Sequence, residues 1–163
     1  MKSMLDMQIR TLFHQEIDAV IEFLQAMLDE IASFGGHVLQ NSDSGSKRFG
    51  DRIQFQIKSP DHLFLGVELN APSSQMIGIV EASIANLPPV FLPKSFLHIH
   101  AIYGEPEYRR SGVARSLIEA AFKWEHDKGC TEADLHVLQN SSAKSLYEDL
   151  GFETFQIEMR RKL

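Results

Sequence analysis

A chain of 163 residues with 44% hydrophobic and 23% charged residues has the size and balance of one globular domain around one core. Its net charge of −6 excludes the broad basic footprint that general nucleic-acid binding needs, and no apolar run approaches the roughly 18 residues that span a bilayer. The single cysteine, Cys130, excludes an internal disulfide, and the opening stretch lacks the apolar run and cleavage site of a secretory signal, so a cytoplasmic protein is expected.

In chain order, MQIRTLF reads as a short opening strand. Ile17, Val20, Ile21, Leu24, Leu28 and Ile31 then recur at helical spacing, which predicts an amphipathic helix over 15–33, ended by Gly35-Gly36. HVLQNSDSGSK is polar and rich in glycine and serine, and is expected to be a loop. RFGDRIQFQIKSP fits a helix through Phe49, Ile53 and Ile57 and a strand through Ile53, Phe55 and Ile57, with the helix preferred. HLFLGVELN and QMIGIVEASIAN, separated by APSS, predict an antiparallel hairpin. The prolines of LPPVFLPK mark a connecting loop.

SFLHIHAIYG is a strand ended by Gly104 and Pro106. A helix follows with Val113, Leu117, Ala120, Ala121 and Trp124 on one side and Gly129 as its stop. EADLHVL is a strand, SAKSLYEDL a helix capped by Ser141 and stopped by Gly151, and FETFQIEMRRKL a closing strand. The second half is thus strand–helix–strand–helix–strand, with a parallel, right-handed first crossover.

The turn before the longer of these helices carries the first chemical signal. In Arg109-Arg110-Ser111-Gly112-Val113-Ala114 the residues at 111, 112 and 114 are small, so a bulky anion can approach the backbone. Successive N–H groups at a helix start cradle phosphate, and the two arginines add charge. Further on, Asn140, Ala143, Tyr147, Gly151 and Phe152 fall in an Asn-x-x-Ala-x-x-x-Tyr-x-x-x-Gly-Phe pattern.

Together, the Arg-x-x-Gly-x-Ala turn and this second segment resemble the GNAT N-acetyltransferase superfamily, over residues 96–152. The resemblance implies an α/β (α+β) fold: a mixed, mostly antiparallel sheet with a splayed central parallel strand pair, flanked by helices. It implies one N-acetyltransferase domain over 1–163, with an acceptor-side half at 1–95 and an acetyl-CoA-binding half at 96–163. It further implies an acetyl-CoA-dependent enzyme that needs no metal and works by direct attack of a primary amine on the thioester. In the family the turn from Arg109 to Ala114 (Arg109, Arg110, Ser111, Gly112, Val113, Ala114) holds the CoA pyrophosphate, and Ile102, Tyr103 and Gly104 pair with the pantetheine as an added strand. An N–H near Ile102 would polarise the thioester carbonyl, Asn140 would contact the pantetheine arm, and Tyr147 would protonate the departing thiolate.

Gly104 departs from the family, which usually has a β-branched residue there, so a looser strand end is expected. The YRRSGVARSLIEAA and GCTEADLHVLQNSSAKSLYEDLGF stretches are also similar to bacterial aminoglycoside and other small-molecule acetyltransferases; that likeness lies in the cofactor-binding parts and says little about the acceptor, which is expected to be a small molecule. A protein or peptide amine, or a non-catalytic acyl-CoA sensor, is the alternative, and a homodimer would follow family habit.

The general base is not fixed by the motifs. Strand period places Phe96, His98, His100 and Ile102 on one face, and His98 lies eleven residues before Arg109, where some family members carry a glutamate base. His98 is therefore the first candidate, with His100, Glu81 and water as the others, and a strand histidine bonded within the core as the structural alternative. Three histidines on adjacent strands, His98, His100 and His136, also raise a zinc site, which lacks a nearby carboxylate or cysteine at metal spacing. Asp29, Glu30 and His37 near the end of the first helix are candidates to hold a cationic amine.

Overall fold

The computed structural model describes residues 6–35, 43–70 and 74–163. Runs of alternating and β-branched apolar residues form five strands: β1 (Met7–Thr11), β2 (His62–Leu69), β3 (Gln75–Asn86), β4 (Ser95–Gly104) and β5 (Ala133–Leu135). They make one sheet in sequence order, antiparallel throughout except for the parallel β4–β5 pair. This is the mixed, mostly antiparallel sheet that the sequence resemblance implies.

Both faces of the sheet are covered. On one face Leu63, Leu65, Val67, Val80, Ala82, Leu97 and Ile99 pack against Val113, Leu117, Ile118 and Ala121 of α3 (Val113–His126). On the other, Phe64, Ile79 and Ala101 meet Val20, Phe23 and Leu24 of α1 (Ile17–Ser33) and Ile53 of α2 (Asp43–Gln56). Burial of each such Leu, Ile, Val or Phe stabilises the fold by about 1.5–3 kcal/mol, so the sheet is fixed from both sides. A last short helix, α4 (Lys144–Asp149), places Leu146 and Tyr147 on the α3 side. Among the described residues, no helix is long and apolar enough to cross a membrane.

The first helix begins with a 3-10 turn at His14–Glu16, where Arg10 bridges Glu16 and Glu68, each at 2.5 Å. Its end at Gly35 has φ +87°, as expected for a glycine stop, and Gly36 lies outside the described residues. The polar stretch expected as a loop is helical from Asp43 onward, with the rest of it outside the described residues up to 42. Once Ile53 is fully buried and Phe49 and Ile57 flank it on the core, the helical period wins over the strand period, and the polar N-terminal turn extends with it.

Two expected strands fall short. The EADLHVL strand pairs only over Ala133–Leu135, because β4 and β5 separate beyond Ile99 and leave His136 and Val137 exposed. The closing strand is absent: residues 152–163 pair with no described strand, and Phe155, Ile157 and Met159 are 94%, 78% and 90% exposed. Alternation supplies a strand's period, but a strand also needs an edge in register, and none receives this segment. Its anchor is Arg160 Nη2, which donates to the Gly35 carbonyl at 2.7 Å.

Candidate functional site

The site begins with the approach of α3 to the sheet. Gly78 on β3 lies opposite Gly104 on β4, and Val113, the first residue of α3, rests over both. A Cβ on Gly78 would stand 2.7 Å from Val113 Cγ1, and one on Gly104 3.4 Å from the same atom. A side chain at 104 would make only ordinary contact with Val113, so the close approach of α3 is set by Gly78.

The turn ahead of Val113 is shaped for an anion. Gly112 has φ +93°, and a Cβ there would meet nothing within 4 Å, so open space lies beside the backbone. Arg110 also adopts a left-handed conformation, φ 61°, as a non-glycine residue. The helix start has no side-chain cap and no acid in its first turn, which leaves its N–H groups and partial positive charge to an external partner. Ser111 Oγ donates to the Tyr108 carbonyl, and Arg109 Nη2 contacts Glu30 Oε2 on α1 at 2.5 Å. The uncapped helix start and the open space at Gly112 leave room for an anion at this turn.

Along β4, pairing with β5 stops at Ile99, while pairing with β3 runs on to Gly104. The β5-facing edge from His100 to Gly104 is therefore open, the splay that an added extended ligand needs. His100 is also a bulge: Glu81 pairs with Ala101 and Ala82 with Ile99, so one extra residue sits on β4. This extra residue resets the faces. Leu97, Ile99 and Ile102 face α3, whereas Ala101 and Tyr103 join the α1 side. Strand period placed Ile102 with the histidines, and the bulge at His100 overturns that assignment.

On the α1 side, a cavity of about 230 Å³ opens between Leu24, Met27 and Leu28 of α1, Phe49 and Arg52 of α2, and Glu81, His100 and Ala101 of the sheet. Glu81 is 1% exposed, yet ionisable. Its Oε1 accepts from Arg52 Nη1 and from His62 Nε2, both at 3.0 Å. Burial pushes this carboxyl up, but the His62 hydrogen bond and the Arg52 charge outweigh it and leave it below its ordinary value. Beside it, His100 is lowered to about 4, foremost by burial, which outweighs the attraction of Glu81 and is reinforced by His98, His62 and Arg52. Its Nε2 lies 2.7 Å from Ser83 Oγ, and its ring stacks on His62 at 5.3 Å.

His98 stands one step back from the cavity. Its Nδ1 bonds Asp134 Oδ1 at 2.6 Å, and its ring meets His100 edge-on at 4.5 Å and His136 at 5.2 Å. Among the described residues, no group of three or more His, Cys, Asp or Glu side chains is arranged to hold a metal, and the three histidines meet through ring contacts. Asp29 and Glu30 do not line the cavity: Asp29 is exposed, Glu30 is taken by Arg109, and His37 lies outside the described residues. Asn140 is exposed and donates to the Phe34 carbonyl at 3.4 Å. Tyr147 is half-buried on the α3 side against Phe152, ring centroids 6.0 Å apart, and burial raises its phenol above the ordinary value.

Sequence reasoning singled out Glu81 but missed Arg52 and His62, its two partners. A carboxylate inside the apolar run of β3 was the available signal, since such a group needs partners that spacing alone does not name.

The fold joins a sheet splayed at β4, an uncapped helix start and a cleft on the opposite side. The chain belongs to the Acetyltransferase (GNAT) family, whose model matches residues 24–152. Over 94 residues, 56% of the chain, it is 33% identical to an aminoglycoside N(6')-acetyltransferase type 1 of Klebsiella aerogenes, and the match spans 62% of that relative, less than two thirds of its length. Over 167 residues, all of both chains, it is 26% identical to a glucosamine 6-phosphate N-acetyltransferase of Trypanosoma brucei brucei. Among solved structures, a protein of Clostridium acetobutylicum described as a predicted acetyltransferase with acetyl-CoA has the same fold, with TM-score 0.78 at 16% identity over 96% of each chain.

Proposed function

We propose that the protein acetylates a primary amine of a small molecule seated in the cavity between α1, α2 and the sheet. The observation that carries this reading is the double role of His100 and Ala101. These residues line the cavity, and they also open the stretch of β4 that β5 leaves unpaired. An acceptor in the cavity and a thioester along that edge would meet across one strand, which is the main requirement of a two-substrate transfer.

When bound, acetyl-CoA supplies the acetyl thioester. The N–H groups of the Arg109–Ala114 turn and the arginine side chains fit its pyrophosphate, and the open edge at Ile102, Tyr103 and Gly104 fits its pantetheine. An N–H in that stretch would donate to the carbonyl oxygen, and Asn140 would hold the arm after release from Phe34. The neutral amine forms the C–N bond, and the C–S bond breaks. His100, neutral near pH 7 and lining the cavity, takes the amine proton and passes it to solvent, to which its ring is open. Tyr147 supplies a proton to the leaving sulfur, a modest aid since a free thiol has a pKa near 8.5.

The similarity to enzymes named for aminoglycosides and for glucosamine 6-phosphate supports an amino-sugar-like acceptor. The test is release of free CoA from acetyl-CoA over aminoglycosides, glucosamine 6-phosphate, polyamines, amino acids and peptide N-termini. Turnover on an amino sugar is expected; acetyl-CoA binding without turnover on any amine would overturn the reading.

A further inference from the structure

The floor of the cavity holds one polar atom that the fold itself does not use. Both protein hydrogen bonds to Glu81 fall on Oε1, from Arg52 and His62. Oε2 accepts none from any described residue, although the residue is 1% exposed and lines the cavity. Among the described residues no fully buried side-chain nitrogen or oxygen lacks a partner, so this oxygen is reached from the cavity rather than sealed behind its wall, and a ligand donor can reach it. His62 is itself held between the Phe64 ring at 5.1 Å and the His100 ring at 5.3 Å, so the carboxylate is oriented from a fixed base. Arg52 is aligned by Gln56 Oε1 at 2.8 Å and lies over the Phe49 ring.

We propose that Glu81 is a specificity-determining residue: its Oε2 accepts a hydrogen bond from a hydroxyl or amino group on the carbon next to the one bearing the reacting amine. His62 and Arg52 are positioning residues that hold it for that task. The floor presents two neighbouring polar groups, Glu81 and the bulged His100, since Glu81 pairs with Ala101, the next residue along β4. If His100 faces the reacting amine, Glu81 faces the substituent beside it. The walls of Leu24, Met27, Leu28 and Phe49 suit an apolar ring face. Sites for drug-sized ligands run from roughly 300 to 1,000 Å³, so a cavity of about 230 Å³ suits one ring around the amine. The class is a vicinal amino alcohol or diamine on a single ring. This assignment rests on the proposed amine acetylation for the role of His100, but not for the binding step.

The matched probes are trans-2-aminocyclohexanol and cyclohexylamine, which differ by one hydroxyl. Binding of each to the protein with CoA present is measured by titration calorimetry, and acetyl transfer from acetyl-CoA in parallel. The wild type should bind and acetylate the amino alcohol at least about tenfold better, the effect of one charge-assisted hydrogen bond. E81Q should bring the two probes within about twofold, through KM more than kcat, with CoA affinity unchanged. Equal binding of the two probes by the wild type, or a preference that E81Q retains, overturns the proposal. The wild-type comparison needs no variant, so it stands even if E81Q fails to fold. Glu81-dependent binding without turnover would sink the acetylation reading and leave the anchor, whereas turnover without the preference would do the reverse. Binding of neither probe overturns the anchor.

Discussion

Gly78 and Val113 belong to different layers, yet a single methyl group on Gly78 would bring them to 2.7 Å. This contact sets how closely the start of α3 approaches the sheet, and therefore where the anion turn stands relative to β4. The Tyr103 carbonyl, 3.0 Å from the same position, closes the other side. Gly78→Ala should destabilise the fold by about 1–3 kcal/mol, the cost of overpacking, and should weaken acetyl-CoA binding by displacing the helix start. Gly104→Ala, at 3.4 Å from Val113, should cost less. Urea denaturation and acetyl-CoA titration of both variants check this; equal stability of Gly78→Ala and wild type would contradict it.

Arg109 has a partner in the fold and another in the proposed function. In the structure it contacts Glu30 at 2.5 Å, and the proposed function asks it to face a pyrophosphate. The two demands compete. Because exposed ion pairs contribute only about 0–1 kcal/mol, Glu30→Gln should leave stability nearly unchanged. The same substitution should tighten acetyl-CoA roughly two- to fivefold by freeing the arginine, with the gain shrinking in high salt. Weaker binding in Glu30→Gln would mean that the pair orders the turn instead.

Gly112 tests the same turn from the other side. Gly112→Glu introduces a side chain at φ +93° and a negative charge where an anion is expected. A residue with a Cβ in that conformation costs about 1–2 kcal/mol, so some loss of stability is expected even though the space is open. Gly112→Ala carries the backbone strain without the charge. Acetyl-CoA affinity should fall far more in the glutamate variant than in the alanine variant, and equal losses would remove the electrostatic role.

How much of this was legible beforehand differs by element. The α1 helix, the β2–β3 hairpin, β4 and α3 follow from periodicity and glycine stops, because each buries a face whose period is written in the chain. Glu81 was legible as an acid in an apolar strand, but Arg52 and His62 come from elements remote in sequence, and pairing in space has no local signature. The face switch at Ile102 depends on a bulge, which one unpaired residue creates and no composition announces. Residues 152–163 show the opposite failure, a strand period without a receiving edge.

Tyr147 is half-buried, and burial raises its phenol above the ordinary value, so it is protonated throughout the neutral range. That is the state a proton donor needs. Tyr147→Phe keeps the ring contact with Phe152 and removes only the hydroxyl, which bonds to no described residue. Stability should change little, acetyl-CoA affinity should hold, and kcat should fall about 10–100-fold, the lower range for a general acid because a thiolate leaves readily. Unchanged kcat would remove Tyr147 from the chemistry.

His100 makes the sharpest pH prediction. Partial burial, against the pull of Glu81, lowers it to about 4, so it is neutral across the neutral range, although a weaker base than an ordinary histidine. The unfolded chain binds this proton near pH 6.5, the folded one only near 4, so the unfolded state holds more protons between these limits. Stability associated with His100 is therefore fully present above pH 6.5 and is lost as pH falls toward 4. His100→Gln should flatten that part of the acid denaturation curve. In activity, the wild-type kcat at saturating substrates should show no break at an ordinary histidine value, and His100→Gln should lower kcat on the order of 100-fold with acetyl-CoA binding intact. His98→Gln, which removes the bond to Asp134 but not the cavity-lining ring, should cost less. A larger loss in His98→Gln than in His100→Gln would assign the base to His98.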